Sequence, residues 1–192
     1  MVVQSEALYR AAGVSGIIAL IALVVSAVAL ALFFGGAGQI YGPINDVFVA
    51  ITMLALLLPI LAVDGVAGPQ TGLWLRVVTV AALTGAVLAA VGQVLLVAGV
   101  IDLETSFITG ALGIVPVLIW IVALIVVSLP LGILPASIGW LAAAAMALIL
   151  VGSLLSSVTN GPIAGLAWTA VVAMLALWLG NLSTALLQRG AA

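Results

Sequence analysis

A chain of 192 residues that is 67% hydrophobic and 4% charged, with a mean hydropathy of +1.59, cannot coat a water-soluble globule, because a soluble domain carries about 25% charged residues. It has no Cys and no His, and its three cations, Arg10, Arg76 and Arg189, leave it no Lys. Disulfides, thiolate and imidazole metal sites, Cys nucleophiles and lysine Schiff bases (retinal and PLP among them) are thereby excluded, and a net charge of −2 without a basic patch speaks against a nucleic-acid partner.

The pattern predicts an all-α integral membrane protein: one polytopic domain, a bundle of six transmembrane helices joined by short loops. A spanning helix needs about 20 apolar residues, and six such runs occur, over about 12–34, 43–66, 73–100, 106–128, 136–158 and 162–187. The breakers GGAGQIYGP, DGVAGPQTG, IDLET, LPLGILP and TNGP separate them. Strands of a membrane barrel would alternate polar and apolar residues, and IIALIALVVSAVALALFF does not. Span one has a signal-peptide flavour in Arg10 and Ala29–Ala31, but its apolar core exceeds the about 15 residues of a signal peptide, so it reads as a retained span.

Span two opens at YGPIND. Pro43 suits a first helical position, which would put Asn45 and Asp46 in the first turn, where free N–H groups and the helix dipole favour a carboxylate. Tyr41 suits the headgroup region. Two readings compete: a helix start with its cap and anchor, which is the favoured one, and a polar site in which Asp46 faces the bundle. Pro59 is a candidate kink further along. Asp64 and Arg76 share the loop between spans two and three, either as an ion pair or as two solvated charges.

Span three carries Ala81, Gly85, Ala89 and Gly92 on roughly one face, the spacing that lets helices approach closely. Gln93 beside them reads first as a hydrogen-bonding contact to a neighbouring helix and second as a ligand contact. In span four Pro116 predicts a kink, and Trp120 one turn later predicts a deep indole needing a partner. The apolar turn between Ser128 and Ser137 holds two prolines and no charge. The hydroxyls before Asn160 can bond back to their own helix, and Asn181 in span six reads as an amide joining helices. GPI occurs at Gly42–Ile44 and again at Gly161–Ile163, and MLALLL at Met53 resembles MLALWL at Met174. The two spacings differ by two residues, and chance similarity between Ala/Leu-rich helices outweighs duplication.

All three arginines fall at the same ends of the spans, which places both termini in the cytoplasm. On that topology Asn45, Asp46, Gln93 and Asn160 lie toward the outer face, a set of oxygen groups of the kind that suits a cation or a proton, with Trp120 deeper as a pocket-lining candidate. An enzyme is the least expected class, for want of His, Cys, Lys and a soluble domain. The expectation is a non-enzymatic multi-pass protein of the cell membrane, needing no cofactor: an assembly subunit, or a binder of lipid or another apolar ligand. Its partners would be membrane lipids, other membrane subunits or a second copy of itself. The alternative is a small-solute or cation- or proton-linked transporter or channel.

Overall fold

The computed structural model describes residues 2–158 and 162–191. Six helices follow one another: α1 (Val2–Phe34), α2 (Tyr41–Thr71), α3 (Leu73–Val97), α4 (Leu103–Ser128), α5 (Ala136–Val158) and α6 (Pro162–Arg189). All six contain stretches long and apolar enough to cross a membrane. Their outward faces carry large apolar side chains such as Val14, Ile21, Val80, Leu112 and Leu150, a surface that a bilayer solvates and water does not.

Two boundaries differ from the sequence expectation by five residues or more, for physical reasons. Helix α1 begins at Val2, ten residues ahead of the apolar run, because the polar segment VQSEALYR also suits a helix and its end packs on the far end of α6. Helix α2 continues through DGVAGPQ to Thr71 and stops where Gly72 takes φ +70, a conformation that favours glycine. Gly65 and Gly68 are not breakers: the carboxylate of Asp64 lies over Gly68 and the hydroxyl of Tyr9 over Gly65.

Each helix packs on its chain neighbours, and α6 returns to α1, so the six close into a ring. Small residues set the approach. A side chain on Gly85 of α3 would collide with the Gly113 carbonyl of α4, and one on Gly113 would lie 2.6 Å from the Gly85 carbonyl oxygen. This reciprocal contact holds α3 and α4 together by close van der Waals packing, the force available where no hydrophobic drive operates between helices. Buried Ala82 takes the place of exposed Ala81 on that face, with Gly85, Ala89 and Gly92 as expected. Gly13 and Gly16 of α1 do the same against Leu187 and Ser183 of α6.

Pro59 lies inside α2 without ending it. Its missing N–H frees the carbonyl of Ala55, one turn earlier, and the Ser15 hydroxyl of α1 donates to that oxygen at 2.6 Å. Sequence-distant atoms thus repair the break. In the middle of the ring, Ile60, Trp120, Leu124, Trp178 and Leu182 share one buried cluster. Helices α4 and α6 are separated by α5 in the ring order, yet Trp120 and Trp178 meet edge to face with ring centroids 6.0 Å apart.

Two arginines fasten the face that bears the chain ends. Arg10 Nε donates to the Gly190 carbonyl at 2.6 Å, and Arg189 Nη2 donates to the Ile133 carbonyl in the α4–α5 turn at 3.1 Å. Asp64 accepts from the Thr79 hydroxyl at 3.4 Å, so of the two readings of Asp64 and Arg76 the ion pair is not the one formed; Arg76 is exposed.

Candidate functional site

The start of α2 determines what Asn45 and Asp46 can do. The helix begins at Tyr41, two residues ahead of Pro43, with Ile40 at its N-cap and no side-chain cap. Asn45 and Asp46 therefore fall beyond the first turn, which contains no acid, and the expected capping role of Asp46 is not realised. The extra two residues arise because Gly38 and Gln39 turn the chain in, their carbonyls accepting from Tyr41 and Gly42.

Away from a capping position, Asn45 bonds to α1 and Asp46 to Asn45. The Ser26 hydroxyl, buried on α1, donates to Asn45 Oδ1 at 2.8 Å, and Asn45 Nδ2 donates to Asp46 Oδ1 at 3.0 Å. Every donor in this chain points toward the carboxylate. Asp46 ends the series as an acceptor at Oδ1. Asp46 itself is half-buried. The chain of bonds ties this carboxyl group to α1 at the end of the α1–α2 pair opposite the chain termini.

The other residues singled out from the sequence do not join this group. Gln93 turns to α4, where its Nε2 lies 3.9 Å from the place a Gly110 side chain would occupy, and its Oε1 is buried without a partner. Trp120 is fully buried against Trp178, seven residues deeper along α4 than Gly113, or about 10 Å. Both indole N–H groups lack a partner, as does the Ser128 hydroxyl. Asn160 lies outside the described residues. Nor does any group of three or more Asp, Glu, His or Cys able to hold a metal ion occur among the described residues.

Helix α2 also carries a ruler. Eighteen residues separate Asp46 from Asp64, about 27 Å along the axis at about 1.5 Å per residue. A bilayer's hydrocarbon core is about 30 Å thick. The spacing of the two carboxylates of α2 is thus close to that thickness, with only uncharged residues between them.

One feature had no clear signal in the sequence. On the outward flank of α6, beside Leu20 of α1, runs a concavity of about 650 Å³ lined by Ala173, Leu177, Gly180, Asn181 and Thr184. Gly180 lets Leu20 approach, since a side chain there would stand 3.4 Å from Leu20 Cδ1. At its polar end, Asn181 Oδ1 accepts from Ser137 Oγ of α5 at 3.0 Å, which makes Asn181 the inter-helix amide expected from the sequence. The signal available was the four-residue recurrence of small or short residues at Ala176, Gly180 and Thr184, lost among the many alanines of the chain.

No family model matches the chain, and neither a curated protein nor a solved structure matches it.

Proposed function

We propose that the chain is a non-enzymatic protein of the cell membrane, with both termini cytoplasmic, that binds a lipid or another apolar ligand on the flank of its helix ring. The observation that carries this reading is where space lies. The middle of the ring is filled by Trp120, Trp178 and their apolar neighbours, while the concavity of about 650 Å³ opens sideways between α1 and α6. A ligand reaching it from within the membrane meets mostly carbon, with the Asn181 amide and the Thr184 hydroxyl at one end. Binding sites of that volume and character suit drug-sized or lipidic molecules. The same groove would suit a helix of another subunit, the assembly role.

Native mass spectrometry of the protein ejected from membranes tests this. A retained lipid or subunit is expected, and it is lost in Ala173→Trp, which fills the groove from an exposed position without touching the buried cluster. Retention of nothing, or equal retention by wild type and variant, overturns it.

A second reading, cation- or proton-linked transport, draws on the directed Ser26–Asn45–Asp46 bonds at the outer end. Its test is ion or proton flux in liposomes with Asp46→Asn, which abolishes the flux if this reading is right. Unchanged flux, or none in the wild type, removes it.

A further inference from the structure

The three cations are placed unequally. Arg10 and Arg189 give hydrogen bonds to backbone carbonyls. Arg76 is exposed and has no hydrogen bond or ion pair among the described residues. The nearest carboxylate in the sequence, Asp64, faces Thr79 instead. An unpaired guanidinium on the outside of an apolar helix calls for an anion.

Three further observations say which anion. The first is shape: Leu73, Arg76, Val77 and Val80 lie on one face of α3 and line a shallow groove of about 270 Å³. The guanidinium thus sits between exposed Leu73 and an apolar strip of two valines that are both more than half exposed. The second is depth. Thr79 is at the level of Asp64, the inner mark of the α2 ruler. Arg76 lies three residues beyond it toward the helix start, or about 4.5 Å. With Asp64 at the water boundary, that puts the charge among the headgroups and Val80 about 1.5 Å inside the hydrocarbon edge. The third is the helix end: Gly72, which also closes α2, opens α3 with no side-chain cap, so N–H groups of the first turn of α3 remain available beside Arg76. Exposed Trp74, at the same level, is the residue type that anchors in this region.

We propose that this face of α3 seats one phospholipid of net negative headgroup charge, its phosphate on the Arg76 guanidinium and an acyl chain along Val77 and Val80. Guanidinium binds phosphate through paired N–H donors, which an ammonium cannot copy. A two-fold contact with a second copy of the chain at this face would instead bring two unpaired guanidinium groups together. The inference deepens the lipid-binding reading but does not rest on the α1–α6 groove, which lies on other helices.

The test uses the full chain in nanodiscs of zwitterionic lipid doped with phosphatidylglycerol, with retained lipids counted by native mass spectrometry. Wild type is expected to retain one phosphatidylglycerol over phosphatidylcholine by about tenfold, a difference of about 1.4 kcal/mol. Arg76→Gln should lose that preference, and Arg76→Lys should keep only part of it. Circular dichroism of each variant in zwitterionic lipid should match wild type, since Arg76 makes no contact that folding needs. Ala173→Trp should leave the preference intact, so failure here and failure at the flank groove are separable. Equal retention by wild type and Arg76→Gln overturns the site. Displacement of the lipid by millimolar glycerol phosphate overturns the acyl strip and leaves a simple phosphate contact.

Discussion

The hydroxyl of Ser15 on α1 stands 2.6 Å from the carbonyl oxygen of Ala55 on α2, the one oxygen that Pro59 deprives of its helical N–H. The proline and the serine are therefore energetically linked although they sit on different helices. An unpartnered buried carbonyl costs about 1–3 kcal/mol.

Ser15→Ala should accordingly destabilise the protein by about 1–2 kcal/mol, measured by reversible unfolding in mixed micelles. In a Pro59→Ala background the same change should cost markedly less, because residue 59 then supplies the N–H itself. Equal costs in the two backgrounds would show that Ser15 has nothing to do with the proline.

Gly113 should resist substitution while Gly165 tolerates it. A methyl group on Gly113 would meet backbone from α3, the Gly85 oxygen at 2.6 Å and the Ala89 nitrogen at 2.7 Å, and backbone cannot step aside cheaply. Gly113→Ala should cost about 1–3 kcal/mol. Gly165 has nothing within 4 Å of its missing side chain, so Gly165→Ala should be neutral or stabilising by up to about 1 kcal/mol, the helix propensity gain. Similar unfolding midpoints for the two variants would contradict the close α3–α4 approach.

Trp120 and Trp178 should be coupled. The edge-to-face contact at 6.0 Å predicts an interaction of about 0.5–1.5 kcal/mol in a double-mutant cycle through Phe or Leu replacements. Trp120→Ala alone should cost about 3–5 kcal/mol, the range for truncating a buried aromatic residue. A cycle that closes to zero would mean the rings do not meet.

Acid should loosen the start of α4. Asp102 is its N-cap and accepts from the Thr105 N–H at 2.8 Å. Bonds from the Thr105 side chain, and then from its backbone N–H, hold the Asp102 carboxyl below its ordinary value. A carboxyl lowered on folding contributes stability that is present above its unfolded-state pKa and is lost as pH falls through the lower folded-state value. Amide exchange at Thr105 should therefore quicken relative to its intrinsic rate in that acid window only. Asp102→Asn keeps a capping oxygen without a proton to gain, so its protection should not depend on pH there. A pH-dependent loss in Asp102→Asn would assign the effect to another group.

What could be read from the sequence divides by range. Long apolar runs and their Gly/Pro interruptions report on solvent and chain direction, so the existence and order of six helices were legible, as was the place of Pro59 and Pro116 inside helices. The small-residue face of α3 was visible too, with Ala81 mistaken for Ala82 because the two differ by a single step of the helix. Partners across helices were not legible. Nothing near Asn45 in the sequence names Ser26, nothing near Pro59 names Ser15, and nothing near Trp120 names Trp178. The role first read for Asp46 depended on where α2 begins, and a shift of two residues at Tyr41 changed it from a cap to the end of an inter-helix chain of bonds. Arg76 looked like one of three equivalent interfacial charges until the other two were found tied to carbonyls.

The contact of α6 with α1 also sets a timetable for biogenesis. Gly16 meets Ser183, and at about 5–20 residues per second a ribosome needs roughly ten to thirty seconds to travel between them. Throughout that interval the glycine face of α1 stands bare in the membrane, open to any helix that passes. Insertion factors that shield nascent helices would be needed most by the first helix made, and slowing translation late in the message should raise the yield of wrongly paired chains.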